Sequence, residues 1–376
     1  MAEVKQTIPL SIAELKAAGS AKMPPVVESY YNNGSMDMLT LRDNEAAFNR
    51  FKLRPRILVD VSNIDPSTEL LGSKIAFPLG IAPAAMHGLA HPDGELATSR
   101  AAASAGIPMS LSTYSTTSLE DVGEVGSGNP YALQLSITAG RENCLRLIKK
   151  AEAAGYKALF VTVDAPVIGR RLHEEKGTKI ELGPSQSLPN FPGDAYIDKD
   201  GTTKYKPLRS YKIAVRDMAQ SWQTFIPWIK ANTSLEVWLK GIYCSEDALL
   251  AVRHGLDGII VSNHGGRQLD SVPASVDALA DVARVVKGCI KIGLDGGIRR
   301  GTDIFKAIAL GADCCFIGRI PLWGLAYDGQ KGVELAIKIL KDEFITAMAL
   351  TGCACIKDIS QDHLSVLGAN GLLCKL

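Results

Sequence analysis

The chain lacks any apolar run near the roughly 18–20 residues that cross a bilayer. Glu3, Lys5, Glu14 and Lys16 exclude a secretory leader at its start. Charge of one sign is also missing: 41 basic and 40 acidic residues leave a formal net charge of +1. That balance argues against a bulk nucleic-acid binder or a polybasic membrane binder. The 8 cysteines include no C-x-x-C pair. Cys314, Cys315, Cys353 and Cys355 lie in apolar contexts, so buried reduced thiols in a reducing compartment are expected. No disulfide or metal staple is needed to hold such a fold. Histidine is scarce, with 6 in 376 residues. No internal repeat or low-complexity tract is present.

What remains is a core-rich chain. Of its residues 46% are hydrophobic and 22% charged, with 35 Gly, which excludes a disordered chain or a coiled coil. A capping box of Ser11 and Glu14 predicts a first helix, with Gly19 as its stop. A second, aromatic segment runs from Val26 to Tyr31 and closes at Asn32-Asn33-Gly34. Near-continuous apolar runs, rich in β-branched residues, then mark eight strands at 79–82, 109–112, 131–135, 159–163, 236–240, 258–262, 290–294 and 314–318. Strands covered on both faces read this way. Helical patterns alternate with them at 94–105, 118–125, 141–154, 214–230, 246–253, 274–286 and 302–310, with a last one from about 332 to 350. Several end at glycine: Gly106, Gly155, Gly255, Gly288 and Gly311.

Eight strand–helix units predict a (β/α)8 TIM barrel of the α/β class. The competing fold is a doubly wound open sheet. That fold usually needs a Gly-rich turn after its first strand, and here the turn reads Ala82-Pro83-Ala84-Ala85. The expected organisation is one domain over 1–376. It has an N-terminal helical extension (1–75), a barrel (76–350), a long loop after strand 4 (165–212) and a C-terminal tail (351–376).

Catalytic residues of a barrel gather at the C-terminal ends of its strands. Strand 3 ends with Gln134 and Ser136, and strand 4 with Thr162-Val163-Asp164, followed by Gly169-Arg170-Arg171. Strand 5 ends at Lys240, and strand 6 runs into Ser262-Asn263-His264-Gly265-Gly266-Arg267. Strands 7 and 8 run into Asp295-Gly296-Gly297-Ile298-Arg299 and Gly318-Arg319. The last two segments suit a phosphate: their glycines admit an anion to backbone N–H groups, and Arg299 and Arg319 add charge. Two tight turns with solvated arginines are the plainer reading. His264 is a candidate base beside Arg267, which can grip a carboxylate, and Asp164 would stabilise its imidazolium. His87, His91 and His173 read as structural or surface residues. Lys240 could form a Schiff base, hold a substrate or face an electron-rich cofactor.

The segments S-N-H-G-G-R-Q-L-D, D-G-G-I-R-R-G-T-D-I-F-K-A, T-V-D-A-P-V-I-G-R-R and I-G-R fall in order at these strand ends. With V-V-E-S-Y-Y-N-N-G and I-A-P-A-A-M-H-G-L-A-H-P-D-G-E, they resemble the FMN-dependent 2-hydroxy-acid oxidase and dehydrogenase family, from about Leu10 to Ile359. Its members include glycolate, lactate and mandelate oxidases. The resemblance implies FMN at the barrel mouth. Pro83, Ala84 and Ala85 would lie along the ring system, and Ser112, Gln134 and Thr162 would bond its polar edge. Lys240 would stabilise the reduced form, and Ser262 would touch the cofactor. Asp295, Gly296, Gly297, Ile298, Arg299, Gly318 and Arg319 would hold the ribityl chain and phosphate. Arg171 and Arg267 would clamp the carboxylate of a small 2-hydroxy acid, helped by Tyr30. His264 would take the hydroxyl proton as hydride leaves, or the α-proton in a carbanion route. Oxygen would reoxidise the flavin and yield hydrogen peroxide.

Two positions depart from the family pattern. Ser136 stands where many relatives carry a second active-site Tyr, and Tyr114 where plant glycolate oxidases carry Trp. Ser136 is expected to enlarge the pocket. Other readings are a same-family enzyme with another acceptor or an unusual bulky substrate, a non-redox barrel, and a silent FMN binder. The tripeptide Cys374-Lys375-Leu376 matches a variant of the peroxisomal import signal. The resemblance further implies a homotetramer.

Overall fold

The computed structural model describes residues 8–126, 128–138, 141–176, 180, 182, 187–190, 195–197, 203–205, 217–368 and 372–376. Much of the loop expected over 165–212 therefore lies outside the described residues.

Eight parallel strands close into a barrel: β1 (Leu79–Ile81), β2 (Met109–Leu111), β3 (Tyr131–Ser136), β4 (Ala158–Thr162), β5 (Glu236–Ile242), β6 (Gly258–Val261), β7 (Lys291–Asp295) and β8 (Cys314–Ile317). The pairing of Cys315 with Leu79 joins β8 to β1 and rules out the open sheet. Each strand lies within two residues of its expected bounds.

The strand period of two sorts the side chains. Leu133, Leu159, Val161, Leu239, Ile259, Ile292, Leu294 and Ile317 face outward into the core shared with the helices. Ala132, Ala158, Phe160, Trp238, Ile260, Cys314 and Phe316 fill the interior, where Leu70, Leu71 and Ile75 of a hairpin (Thr68–Leu70 with Ser73–Ile75) join them. Trp238 and Phe316 pack on Phe160 with ring centroids 5.5 and 5.4 Å apart. Gly258 makes room for this filling, since a Cβ there would lie 2.3 Å from the Trp238 ring. Further along each strand the inward positions turn polar: Ser112, Gln134, Ser136, Thr162, Lys240, Ser262 and Asp295 are all buried. The same alternation that packs the lower barrel therefore gathers the chemistry at the C-terminal mouth.

The N-terminal extension begins with α1 (Ile12–Ser20), α2 (Pro25–Asn32) and α3 (Leu39–Ala46). Ser11 caps α1 by accepting from the Glu14 N–H at 3.2 Å. Gly19 does not stop that helix. It lies inside α1, where a Cβ would meet the Trp323 carbonyl oxygen at 2.2 Å, so it serves close packing instead. The barrel helices are α4 (Gly94–Ala105), α5 (Leu119–Val125), α6 (Arg141–Ala153), then a short α7 (Leu172–Lys176), α8 (Trp222–Asn232), α9 (Ser245–Arg253), α10 (Ser275–Val286), α11 (Gly301–Leu310) and α12 (Arg319–Thr351).

Helices α3 and α7 were not expected, and two of the expected helices have different bounds. Helix α8 starts later because Ser221 and Thr224 cap it reciprocally. Helix α12 starts at once after β8, because Pro321 in its first turn forfeits no intrahelical bond. It kinks at Asp328-Gly329, shortly before the expected start of the helix at about 332. The tail returns to the extension through antiparallel pairing of Phe51–Leu53 with Leu364–Leu367, and Leu373–Lys375 adds a third strand. Cys144, Cys314, Cys315 and Cys353 are buried, but Cys355, expected to be buried with them, and Cys244 are only partly buried, and Cys289 and Cys374 are exposed. No helix among the described residues is long and apolar enough to cross a membrane.

Candidate active site

The barrel mouth holds a cavity of about 240 Å³ whose wall includes Tyr30, Ser112, Tyr114, Gln134, Ser136, Thr162, Arg171, Lys240, His264, Arg267, Asp295 and Arg319. Pro83, Ala84, Ala85, Gly296, Gly297, Ile298, Arg299 and Gly318 also line it. Three groups of side chains meet there.

The first group is the base. His264 opens a short helical turn, His264–Gly266, and adopts a left-handed backbone with φ of 56°. That conformation disfavours side-chain-bearing residues, and neighbouring amides hold it. Asn263 accepts the Gly266 N–H at 3.1 Å and exchanges amide hydrogen bonds of 2.7 and 2.6 Å with Asn44 of α3. The imidazole Nδ1 lies 3.1 and 3.3 Å from the two oxygens of Asp164. A carboxylate accepts, so Nδ1 carries the proton and Nε2 is the acceptor left for a ligand. Gly241 lets Asp164 come close: a Cβ there would lie 2.6 Å from that of Asp164, and the β5–β6 register shifts at this point. Burial lowers the proton affinity of His264 below the ordinary value of 6.5, with Asp164 opposing and Lys240 reinforcing the shift. The acid limb of kcat/KM is therefore expected below 6.5. Asp164→Asn removes the opposing carboxylate charge, so the limb should move lower still while turnover falls about 10²–10⁴-fold. A pH–rate profile checks this, and an upward shift would contradict it.

The second group is a charged and polar network. Lys240 Nζ lies 2.8 Å from Ser262 Oγ and 2.9 Å from Asp295. Ser262 in turn donates to Asp295 at 2.5 Å. Both Asp295 oxygens are thus engaged within the chain, where the resemblance implied contacts to a ribityl chain. Lys240 is paired as an ammonium, which disfavours its Schiff-base reading. Gln134 donates to Ser136 at 3.1 Å and to Thr162 at 2.9 Å, and accepts from the Thr113 N–H at 3.1 Å.

The third group is a set of guanidiniums. Arg319 donates to the carbonyls of Tyr31 (2.7 Å), Gly265 (3.0 Å) and Asn33 (3.1 Å), which ties the mouth to α2. Arg267 donates to the Tyr30 and Asn33 carbonyls and stacks 4.7 Å from the Tyr30 ring centroid. Arg171 Nε donates to the Arg267 carbonyl at 3.3 Å. Burial, then the positive charge of Arg171, pulls Arg267 down to about 10. Burial with Arg267 and Arg299 pulls Arg319 down to about 9. Arg299 pairs with Glu45 at 2.7 Å and lies over Trp323, yet its buried Nε has no hydrogen-bond partner among the described residues.

These residues fit a flavin mononucleotide. Clustered, desolvated guanidiniums with an orphaned Nε call for an anion such as phosphate. Gly296 and Gly297, at φ of 103° and 82°, form a turn whose N–H groups can meet it. Gln134, Ser112 and Thr162 offer donors and acceptors to the edge of a heteroaromatic ring, and the Pro83–Ala85 wall offers it an apolar face.

Every candidate site residue named from sequence lies at this mouth or, for Asp164 and Ser262, bonds a residue that does. His87 is buried and bonded to Thr98 at 3.0 Å, as a structural residue would be, and His91 accepts from the Asp93 N–H at 3.1 Å. His173 lies 3.9 Å from Glu174. Sequence reasoning missed Glu174, Asn44, Gln268, Met86, Ile168 and Leu188. Gln268 anchors the start of the long loop through the carbonyls of Asp164 (3.0 Å) and Val167 (2.9 Å). Its place in the strand-6 motif was the available signal; Asn44 carried none.

Comparison with known proteins matches this architecture. The family model described as FMN-dependent dehydrogenase covers residues 19–366. The chain is 49% identical over 365 residues to a protein named oxidase FUB9 from Fusarium oxysporum f. sp. lycopersici, covering 96% of this chain and 93% of that one. It is 45% identical over 355 residues to glycolate oxidase of Spinacia oleracea, covering 94% and 95%. A structure of mandelate oxidase with benzoyl-formic acid superposes with a TM-score of 0.84 at 34% identity, covering 95% and 98%. The chain belongs to the FMN-dependent 2-hydroxy-acid oxidase and dehydrogenase family.

Proposed function

We propose that the protein oxidises an L-2-hydroxy acid to the 2-oxo acid and passes the electrons to oxygen, giving hydrogen peroxide. The observation that carries this is an imidazole whose Nδ1 is held by Asp164, leaving Nε2 as the acceptor, next to two guanidiniums at the barrel mouth. Bound FMN supplies a two-electron acceptor that oxygen can reoxidise. Gly296, Gly297, Ile298, Arg299, Gly318 and Arg319 hold its ribityl phosphate end. Pro83, Ala84, Ala85, Ser112, Gln134 and Thr162 hold its ring system, with Lys240, Ser262 and Asp295 as the charged pocket beside it. Arg171, Arg267 and Tyr30 bind the substrate carboxylate and fix the α-carbon. His264 takes the substrate proton at Nε2, and Asp164 stabilises the resulting imidazolium.

The substrate side chain faces an apolar wall of Met86, Tyr114, Ile168 and Leu188. Ser136 adds a small residue, bonded to Gln134 rather than filling the mouth with a phenol. This favours a bulky apolar substituent over glycolate. In a series of glycolate, L-lactate, L-2-hydroxyhexanoate and L-mandelate, kcat/KM is expected to rise with size, and Ser136→Tyr to reverse the order. Glycolate or lactate as the best substrate of the unaltered protein would overturn the pocket reading. Anaerobic bleaching of the flavin by these acids, and one peroxide per turnover under air, test the reaction itself.

Peroxide production suits a catalase-containing organelle, and Cys374-Lys375-Leu376 supports a peroxisomal location. All three side chains are exposed, but Cys374 and Lys375 are paired in the Leu373–Lys375 strand, so a receptor would meet the full tripeptide after that strand detaches. A homotetramer is part of the same proposal. Ile57 and Leu58, 81% and 102% exposed, lie beside the end of α12, where the Arg56 N–H donates to the Thr351 carbonyl. Light scattering on the holoenzyme tests the assembly.

A further inference from the structure

A carboxylate of the chain itself lies at the two guanidiniums assigned above to the substrate. Glu174, on the short helix α7, is 3.0 Å from Arg171 Nη1 and 3.8 Å from Arg267 Nη2. The three side chains are 12%, 14% and 16% exposed for Arg171, Arg267 and Glu174, and all three line the cavity. Among the described residues no other Glu lines it, and the only other carboxylate in its wall, Asp295, is paired with Lys240.

We propose that Glu174 is the resident counter-ion of the substrate's carboxylate site, so that the site carries one net positive charge and selects a monocarboxylic acid. The proposal rests on the reading that Arg171 and Arg267 hold the substrate carboxylate.

The charge count gives the reason. Two guanidiniums and one carboxylate leave a net charge of +1 in a largely desolvated place. One incoming carboxylate neutralises it. A second negative charge on the same substrate would be buried without a partner and repelled by the nearby Glu174 charge, an arrangement that is strongly disfavoured away from water.

Hydrogen-bond capacity agrees with this count. Arg171 uses Nε on the Arg267 carbonyl and Nη1 on Glu174. Arg267 uses Nη1 on the Tyr30 and Asn33 carbonyls. Its Nη2 is too far from Glu174 for a hydrogen bond. A planar guanidinium has five N–H groups, so both arginines retain donors for a ligand while Glu174 stays in place. Glu174 therefore tunes affinity and charge preference, and does not block the site. It also weakens monocarboxylate binding, because its charge repels every incoming anion.

The test uses two non-reducing probes, 2-oxohexanoate and 2-oxoglutarate, titrated calorimetrically into the FMN-loaded protein. Glu174→Gln keeps the shape and removes the charge. It is expected to tighten 2-oxohexanoate about tenfold and 2-oxoglutarate by a clearly larger factor. Glu174→Asp, which keeps the charge, should retain the preference for the monocarboxylate. With L-2-hydroxyhexanoate the Gln variant should lower KM more than it changes kcat. If Glu174→Gln leaves both affinities unchanged, or weakens both probes alike, Glu174 merely props the arginines and the proposal falls. Arg267→Lys separates the two layers of the argument. If it weakens 2-oxohexanoate while Glu174→Gln brings no gain, only the counter-ion role is lost. If it leaves 2-oxohexanoate binding unchanged, the clamp reading itself fails and carries the proposal with it.

Discussion

His264→Ala is expected to leave the protein folded and yellow while slowing anaerobic flavin reduction by 2-hydroxy acids about 10²–10⁴-fold. Folding should survive because the side chain leaves little behind it: 31% of it is exposed, and among the described residues its side-chain partner is Asp164. Flavin should be retained because the residues assigned to the phosphate end lie on other strand ends, after β7 and β8. Reduction should fail because, among the described residues, His264 is the only His in the cavity wall. Stopped-flow absorbance measures the rate, and bound flavin is counted after denaturation. Reduction at the unaltered rate would remove His264 from the role of base.

Lys240→Met is expected to cost about 3–5 kcal/mol of stability as well as slowing reduction. Lys240 and Asp295 have side chains 5% and 8% exposed, and removing one partner leaves a buried, uncompensated carboxylate. The double variant Lys240→Met with Asp295→Asn should recover most of that loss, because neither charge remains, yet still reduce slowly, because the cation proposed to face the reduced flavin is gone. Chemical denaturation of the three proteins gives the ledger. A double variant no more stable than the single one would show that the ion pair is not what Lys240 protects.

Much of the fold was legible in the chain. Near-continuous apolar runs located all eight strands, because a strand covered on both faces must be apolar along its whole length. Helix boundaries were less readable. A pattern search finds the amphipathic part of α12 from about 332, but the segment before it is apolar on most sides: Ile320, Leu322, Trp323 and Leu325 are all buried, so no periodic contrast marks it. Gly19 reads as a stop by residue type alone, while the reason for glycine there is the Trp323 backbone, more than 300 residues away in sequence.

The site divides along the same line. Ser-Asn-His-Gly-Gly-Arg, Asp-Gly-Gly and Gly-Arg stand directly after strands, and a barrel sends every such segment to one mouth. Sequence alone therefore determined which residues meet: position within a period of two sets whether a side chain points in or out, and position along the strand sets its height. Tertiary structure decided most of how they pair. The Asp164–His264 contact, across 100 residues, was expected from their strand ends, but the Asn44–Asn263 exchange, across 219, depends on where α3 lands. Glu174 became part of the arginine site by the same means, since a few ångströms of α7 placement separate a counter-ion from a surface charge, and no local pattern encodes that distance.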